Sequence, residues 1–174
     1  RIAYIEQGLE PEFIDVLNDG KKTSRILLEL VKSIKEEAQI LLPNERTLLN
    51  LETIGAIDHI IEGASTNHAR IRLVFPNTEG ESDAIKRIQE KAPEIQIVNG
   101  NNSTSLMIIV DNSKFLRAEL VNIKSENFAD SVGFTVYSNT RQSVDSFKTF
   151  FDLLWKEHIL NEELKNADKV QKEF

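Results

Sequence analysis

The sequence predicts an α/β domain in which a mixed sheet is flanked by helices, with one long helix at the C-terminal end. Three observations carry this reading. Helical and strand periodicities alternate through the first half of the chain, which is the pattern of parallel strands joined by helical crossovers. Strand signals then crowd together with only turns between them, as antiparallel neighbours do. The last stretch, Ser143 to Phe174, holds no Gly or Pro.

Arg1 to Gly8 reads as the end of an upstream linker helix, so residues 1–10 stand outside the domain. After Pro11, Glu12 to Leu17 is a short strand closed by the turn signal Asn18-Asp19-Gly20. From Thr23 to Ala38, Ile26, Leu27, Leu30, Val31 and Ile34 recur at three-four spacing, which predicts an amphipathic helix. Gln39 to Leu42 is a strand stopped by Pro43, a residue that cannot donate to a sheet ladder. Leu48, Leu49, Ile54, Ile57, Ile60 and Ile61 give helical spacing from Asn44 to His68, read as one helix. Arg70 to Phe75 alternates and ends at Pro76 as a strand, and Ser82 N-caps a helix running to Lys91. Four strands follow: Glu94 to Val98, Ser105 to Val110, Phe115 to Val121 and Val132 to Tyr137. The terminal helix would be on the order of 48 Å long at 1.5 Å per residue. A domain of this size does not cover such a length, so its far end should project.

Composition narrows the function classes. The chain has 174 residues, 40% hydrophobic and 28% charged, an ordinary globular balance for one domain over residues 11–156. With 21 Lys plus Arg against 28 Asp plus Glu the net charge is −7, which argues against nucleic acid, whose affinity rests on clustered cations. The longest aliphatic run, Leu106 to Val110, is far short of the ~20 residues of a membrane span, so no membrane contact is expected of this segment. Zero cysteines excludes disulfides, thiolate nucleophiles and cysteine-bound metals, and fits a cytoplasmic location. Membrane attachment of a longer parent stays open.

Few side chains suit catalysis. His59, His68 and His158 are the only histidines; His59 and His68, nine apart, fall on opposite faces of a continuous helix and cannot share an ion, and no metal site is expected. No Gly-x-Gly-x-x-Gly, Gly-x-x-x-x-Gly-Lys-Ser/Thr, Gly-x-Ser-x-Gly or His-Glu-x-x-His occurs, so no cofactor is expected either. Asn101 and Asn102 begin Asn-x-Ser/Thr triplets, read here as a polar turn.

One stretch is more pointed. Ser103-Thr104-Ser105-Leu106-Met107-Ile108-Ile109-Val110-Asp111 is a strand entering an acidic turn, with a further strand from Phe115. This resembles the phospholipase D-like fold, whose active members carry His-x-Lys-x-x-x-x-Asp at this place. Counting back from Asp111, the nucleophile position falls on Thr104 and the lysine position on Leu106. A hydroxyl does not replace an imidazole that attacks phosphorus, and leucine does not neutralise phosphate oxygens. The resemblance therefore implies a fold without its chemistry; a plain hairpin turn at Asp111-Asn112 explains the same residues.

The terminal helix carries two patterns. Phe147, Phe150, Phe151, Leu154 and Trp155 are large and crowded, as on a face packed against a sheet. Beyond them Leu160, Leu164, Ala167, Gln171 and Phe174 are spaced four, three, four, three, the seam of a two-stranded coiled coil, which gives residues 157–174 as a linker and a homodimer through this helix. A solvated trailing helix is the plainer alternative.

Ser138-Asn139 after a strand, Phe147-Lys148-Thr149-Phe150-Phe151-Asp152-Leu153-Leu154-Trp155-Lys156, and the ending Asp168-Lys169-Val170-Gln171-Lys172-Glu173-Phe174 together resemble the sensory region of archaeal sensor histidine kinases. Glu10-Pro11-Glu12-Phe13-Ile14 and the helix around Val31-Lys32-Ser33 extend the likeness to nearly the whole chain. In that family the final segment leads into the phosphoacceptor box of a two-component phosphorelay. Here no histidine is followed by Glu/Asp-x-Arg/Lys-Thr/Ser-Pro, and no Asp-x-Gly-x-Gly is present, so this stretch is not itself an enzyme in the family's manner. The resemblance implies a non-catalytic input domain that binds a small-molecule or protein signal and passes it along the helix to control autophosphorylation. Polar residues near strand ends, Asn44, Arg46, Thr104, Arg117, Ser138 and Arg141, are the expected ligand-binding set, with Arg46 and Arg117 suited to an anion. The helix residues Phe147, Phe151, Leu154, Trp155, Leu160, Leu164 and Phe174 are the expected transmitting set. The alternatives are a degenerate phosphodiesterase that recruits His59 or His68, and an effector-binding domain of a transcriptional regulator.

Overall fold

A computed structural model of the chain describes residues 10–76, 82–100 and 103–172. In order these form β1 (Ile14–Leu17), α1 (Gly20–Lys32), β2 (Glu37–Leu41), α2 (Glu45–Thr53), α3 (Ala56–Ser65), β3 (Arg70–Pro76) and α4 (Asp83–Lys91). Then come β4 (Gln96–Gly100), β5 (Ser105–Val110), β6 (Lys114–Leu120), α5 (Phe128–Ser131), β7 (Val132–Ser138) and α6 (Arg141–Lys172). The seven strands pair in the order β1-β7-β6-β5-β2-β3-β4. β2, β3 and β4 are parallel to one another, and every other pairing is antiparallel. The mixed α/β sheet expected from the sequence is the one observed.

The two faces of the sheet are covered unequally. On one, Leu27 and Leu30 of α1, Leu48 and Leu51 of α2, Ile57 and Ile60 of α3, Ile88 of α4 and Phe128 of α5 meet Ile40, Ile71, Leu73, Leu106, Ile108 and Leu116. On the other, among the described residues, α6 alone lays Val144, Phe151 and Trp155 on Leu41, Val74, Val98, Met107, Ile109 and Phe115. Alternation along each strand feeds both clusters, so β5 is buried at every position.

Four elements depart from the sequence reading. The helix expected over Thr23–Ala38 ends at Lys32, and β2 begins at Glu37; the Asp111 carboxylate holds the intervening turn from across the sheet edge. The single helix expected over Asn44–His68 is two, broken at Gly55, which sits at φ 86 where only glycine is free of strain. Asn127 N-caps the short α5 between β6 and β7, where only a turn was expected between strands. The terminal helix starts at Arg141, two residues earlier than expected. Ser82 N-caps α4 as expected, its hydroxyl accepting from Ile85 N at 3.3 Å. Arg1–Gly8, the Asn101-Asn102 turn and Phe174 lie outside the described residues.

Among the described residues no helix is long and apolar enough to cross a membrane. α6 is docked as far as His158; every residue from Ile159 to Lys172 is exposed. That projecting part is about 21 Å long.

Candidate functional site

Strand direction decides where the polar candidates meet. The C-terminal ends of β2 and β3 and the N-terminal end of β5 lie along one edge of the sheet. Asn44 follows β2 there and caps α2, its Oδ1 accepting from Thr47 N at 2.7 Å and from the Thr47 hydroxyl at 2.9 Å. Arg46, in the first turn, reaches Glu126 at 4.0 Å, and both are solvent-facing. Beside them the Ser82 hydroxyl donates to Glu45 at 2.9 Å, and Asn50 Nδ2 donates to the Ser125 carbonyl at 2.8 Å. Thr104 stands exposed just before β5, and Leu106, on the same strand face, is wholly buried. The position read as the nucleophile is thus an open hydroxyl at the rim, and the position read as the cation is core.

Asp111 is at the opposite edge. It turns β5 into β6 at φ 52, with Asn112 at φ 51, and its carboxylate accepts backbone N–H groups from Lys35, Glu36 and Glu37 at 2.7–3.3 Å. Three donors on one carboxylate make a pin between the hairpin and the entrance to β2. That structural duty accounts both for the hairpin turn and for an aspartate at this position.

The other candidates do not join Asn44, Arg46 and Thr104. Ser138 ends the antiparallel β7, so it falls at the Asp111 edge, where its hydroxyl donates to Phe13 O at 2.8 Å. Arg141 is nearby, bonded to Asn112 O at 2.8 Å and paired with Asp145 at 2.6 Å. Arg117 lies within β6 opposite Met107, on the α6 face, with Glu119 3.9 Å away. These three belong to other parts of the molecule.

The underside of α6 holds a polar layer that the candidate set missed. Arg72 of β3 is 6% exposed; its Nη2 donates to Asp152 Oδ1 at 2.9 Å, and its guanidinium lies 5.2 Å from the Phe151 ring centroid and 5.5 Å from that of Trp155. Lys148 donates to Glu37 at 3.1 Å. Gln39, paired in register with Arg72, is 0% exposed, and neither its amide oxygen nor its nitrogen has a hydrogen-bond partner among the described residues. Alternation could have found this layer: Gln39 shares a face with Leu41, and Arg72 with Val74, so two polar side chains had to point into the sheet's second core.

α6 therefore crosses the sheet from the Asp111 edge to the Thr104 edge. It leaves the body at His158, which packs so closely on Gly100, at the end of β4, that a Cβ there would meet the imidazole Nε2 at 2.6 Å. The helix exits along the edge where Asn44, Arg46 and Thr104 stand. Among the described residues no group of three or more His, Asp or Glu side chains forms a metal site.

No family model matches the sequence, and no curated protein matches it. Solved structures do. TrmBL2, an archaeal chromatin protein whose structure shows a novel mode of DNA binding, superposes with a TM-score of 0.60 at 15% identity, over 87% of this chain and 55% of that one. NucT from Helicobacter pylori gives 0.66 at 9% identity over 84% of this chain and 97% of its own. Nuc from Salmonella typhimurium, a phospholipase D family member, gives 0.61 at 14% over 84% and 95%. The fold is phospholipase D-like, as the strand-turn-strand around Asp111 led one to expect. The chain spans about half the length of TrmBL2.

Proposed function

We propose that this chain is a non-catalytic signal-input domain, of the kind attached to histidine kinases, that receives a ligand at the Asn44–Arg46–Thr104 edge and sends the response out along α6. The parent protein would be a protein-histidine kinase acting as a dimer, with its catalytic parts outside this stretch. One observation carries the reading: the one helix that, among the described residues, covers its face of the sheet leaves the body at His158, along the edge where the fold's reactive side chains would stand and where this chain has Thr104. A ligand shifts such a helix only by binding two of its arrangements with different affinity. An edge that no longer turns over its ligand is suited to that task, because occupancy then lasts as long as binding does.

The test is a thermal-shift screen of small anions, including sulfate, phosphate, citrate and nucleoside monophosphates, on the chain and on its Arg46→Ala variant. The reading expects a hit whose stabilisation falls at least several-fold in the variant. A hit that survives the change sites the ligand elsewhere. Turnover of a chromogenic phosphodiester, with a rate above buffer lost on His59→Ala or His68→Ala, favours the degenerate phosphodiesterase instead. The likeness to TrmBL2 favours a second reading, an effector-binding domain of a DNA-associated regulator, which the sequence C-terminal to Phe174 separates from the first.

A further inference from the structure

α6 covers only part of its face of the sheet. It packs on β6, β5, β2 and β4. Phe147 meets Phe115 of β6 at 4.4 Å between ring centroids, and Val136 of β7 packs against the same cluster, so Phe147 marks the helix flank turned towards β7 and β1. The register places Ile14 and Val16 of β1, with Phe134 and Val136 of β7, on this same face. Ile14 is 60% exposed, Val16 63% and Phe134 57%. On the helix wall above them Phe150 is 50% exposed, and Leu153, further round on the outer side of the helix, is 64% exposed.

The bared strip has a definite size and shape. Two strands at ~4.8 Å each give a width of about 10 Å, the spacing at which one helix packs beside another. The trough is thus as wide as one helix, floored by Val16, Phe134 and Ile14 and walled by Phe150. This chain also presents a helix in need of cover. Taking Phe151 as pointing at the sheet, Leu153, Leu160 and Leu164 lie about 180–220° round the axis, an outward ridge opposite the docked face. Leu160 and Leu164 are 55% and 57% exposed.

We infer that a second copy of this chain occupies the trough: two protomers related by a two-fold axis lay their α6 helices side by side, each ridge resting on the partner's β1–β7 strip. The inference rests on the proposed homodimer and extends it from a seam on the projecting tail to an interface that includes the body of the domain. The area fits. Seven large apolar side chains at half to two-thirds exposure offer on the order of 700 Å² per protomer, near the ~800 Å² per partner of a standard stable interface. Charge permits it as well. The chain carries −7, but the projecting segment has Glu162, Glu163 and Asp168 against Lys165, Lys169 and Lys172, so it sums to zero and does not repel its copy.

The test is sedimentation equilibrium on the full chain and on Val16→Glu, Phe134→Glu, Leu153→Glu and Leu164→Glu, with Ile123→Glu as a control on an exposed apolar residue outside the trough. All sites are solvent-facing, and unchanged circular dichroism confirms that each variant folds. The inference expects a dimer whose dissociation constant rises at least tenfold in Val16→Glu and Phe134→Glu as in Leu153→Glu, and stays put in Ile123→Glu. Because the chain has no cysteine, Val16→Cys mixed with Leu153→Cys should give an oxidised cross-linked heterodimer. A dimer weakened by Leu164→Glu but indifferent to Val16→Glu and Phe134→Glu overturns the trough while leaving the helix seam and the input-domain reading standing. A monomer at every concentration overturns the trough and the seam together.

Discussion

Arg72 on β3 and Asp152 on α6 join the sheet to the helix: Nη2 donates to Oδ1 at 2.9 Å, with Arg72 nearly buried and Asp152 at the rim. Of the polar contacts beneath α6 this one sits among aromatic rings, so its loss strands a cation in a low-dielectric layer. Asp152→Ala should destabilise the fold by about 2 kcal/mol, the scale of leaving a buried donor unpaired, and lower the melting temperature by roughly 4–8 °C. Asp152→Asn, which keeps an acceptor, should cost less. Thermal melts of both variants check the order.

Gln39, one register position across from Arg72, predicts the opposite sign. Its amide is wholly buried and neither atom has a partner among the described residues. Replacing it with a side chain of similar length and no polar atoms removes that desolvation cost. Gln39→Met should stabilise the domain by about 1 kcal/mol in urea unfolding, read as a rise in midpoint with an unchanged slope.

Asp111 should prove structural. Removing its three amide contacts frees the turn before β2 and the hairpin together, and Asp111→Ala also places alanine at φ 52. A loss of about 3 kcal/mol is expected, whereas Asp111→Asn, which tolerates that backbone and keeps an acceptor, should lose less than half as much. Chemical unfolding of the pair separates this pin from a reactive group.

Glu52 supplies a pH dependence. The hydrogen bonds from Arg87, at 2.7 and 2.8 Å, hold its carboxyl below the ordinary carboxylate range, against a smaller opposing effect of burial. A depressed folded-state value means the contribution is present above the unfolded carboxylate value and fades as pH falls through the folded one. Glu52→Gln should therefore weaken the protein at neutral pH and make little difference in strong acid, where the wild-type carboxyl is protonated too. Melting curves from pH 7 down to pH 2 test the convergence.

Much of this architecture was legible in the residues. The alternation up to Ile97 gives β2, β3 and β4 their parallel order, and Asn18-Asp19-Gly20, Pro43 and Pro76 mark boundaries that hold to within a few residues. What escaped depends on partners distant in sequence. Gly55 breaks a helix whose apolar spacing continues across the break, and the end of α1 is set by Asp111, about 75 residues away. The grouping of Asn44, Arg46 and Thr104 follows from strand ends. Ser138 and Arg141 went to the other edge because β7 runs antiparallel to its neighbours, and direction is a property of pairing that periodicity does not carry.

The claim that this domain receives at one edge and transmits through one helix is tested most directly by hydrogen exchange across Phe147–His158, with and without whichever anion from the screen stabilises the chain through Arg46. The account predicts that exchange in this helical stretch changes on binding and that Arg46→Ala abolishes the change. Binding through Arg46 that leaves exchange in α6 unaltered would contradict it.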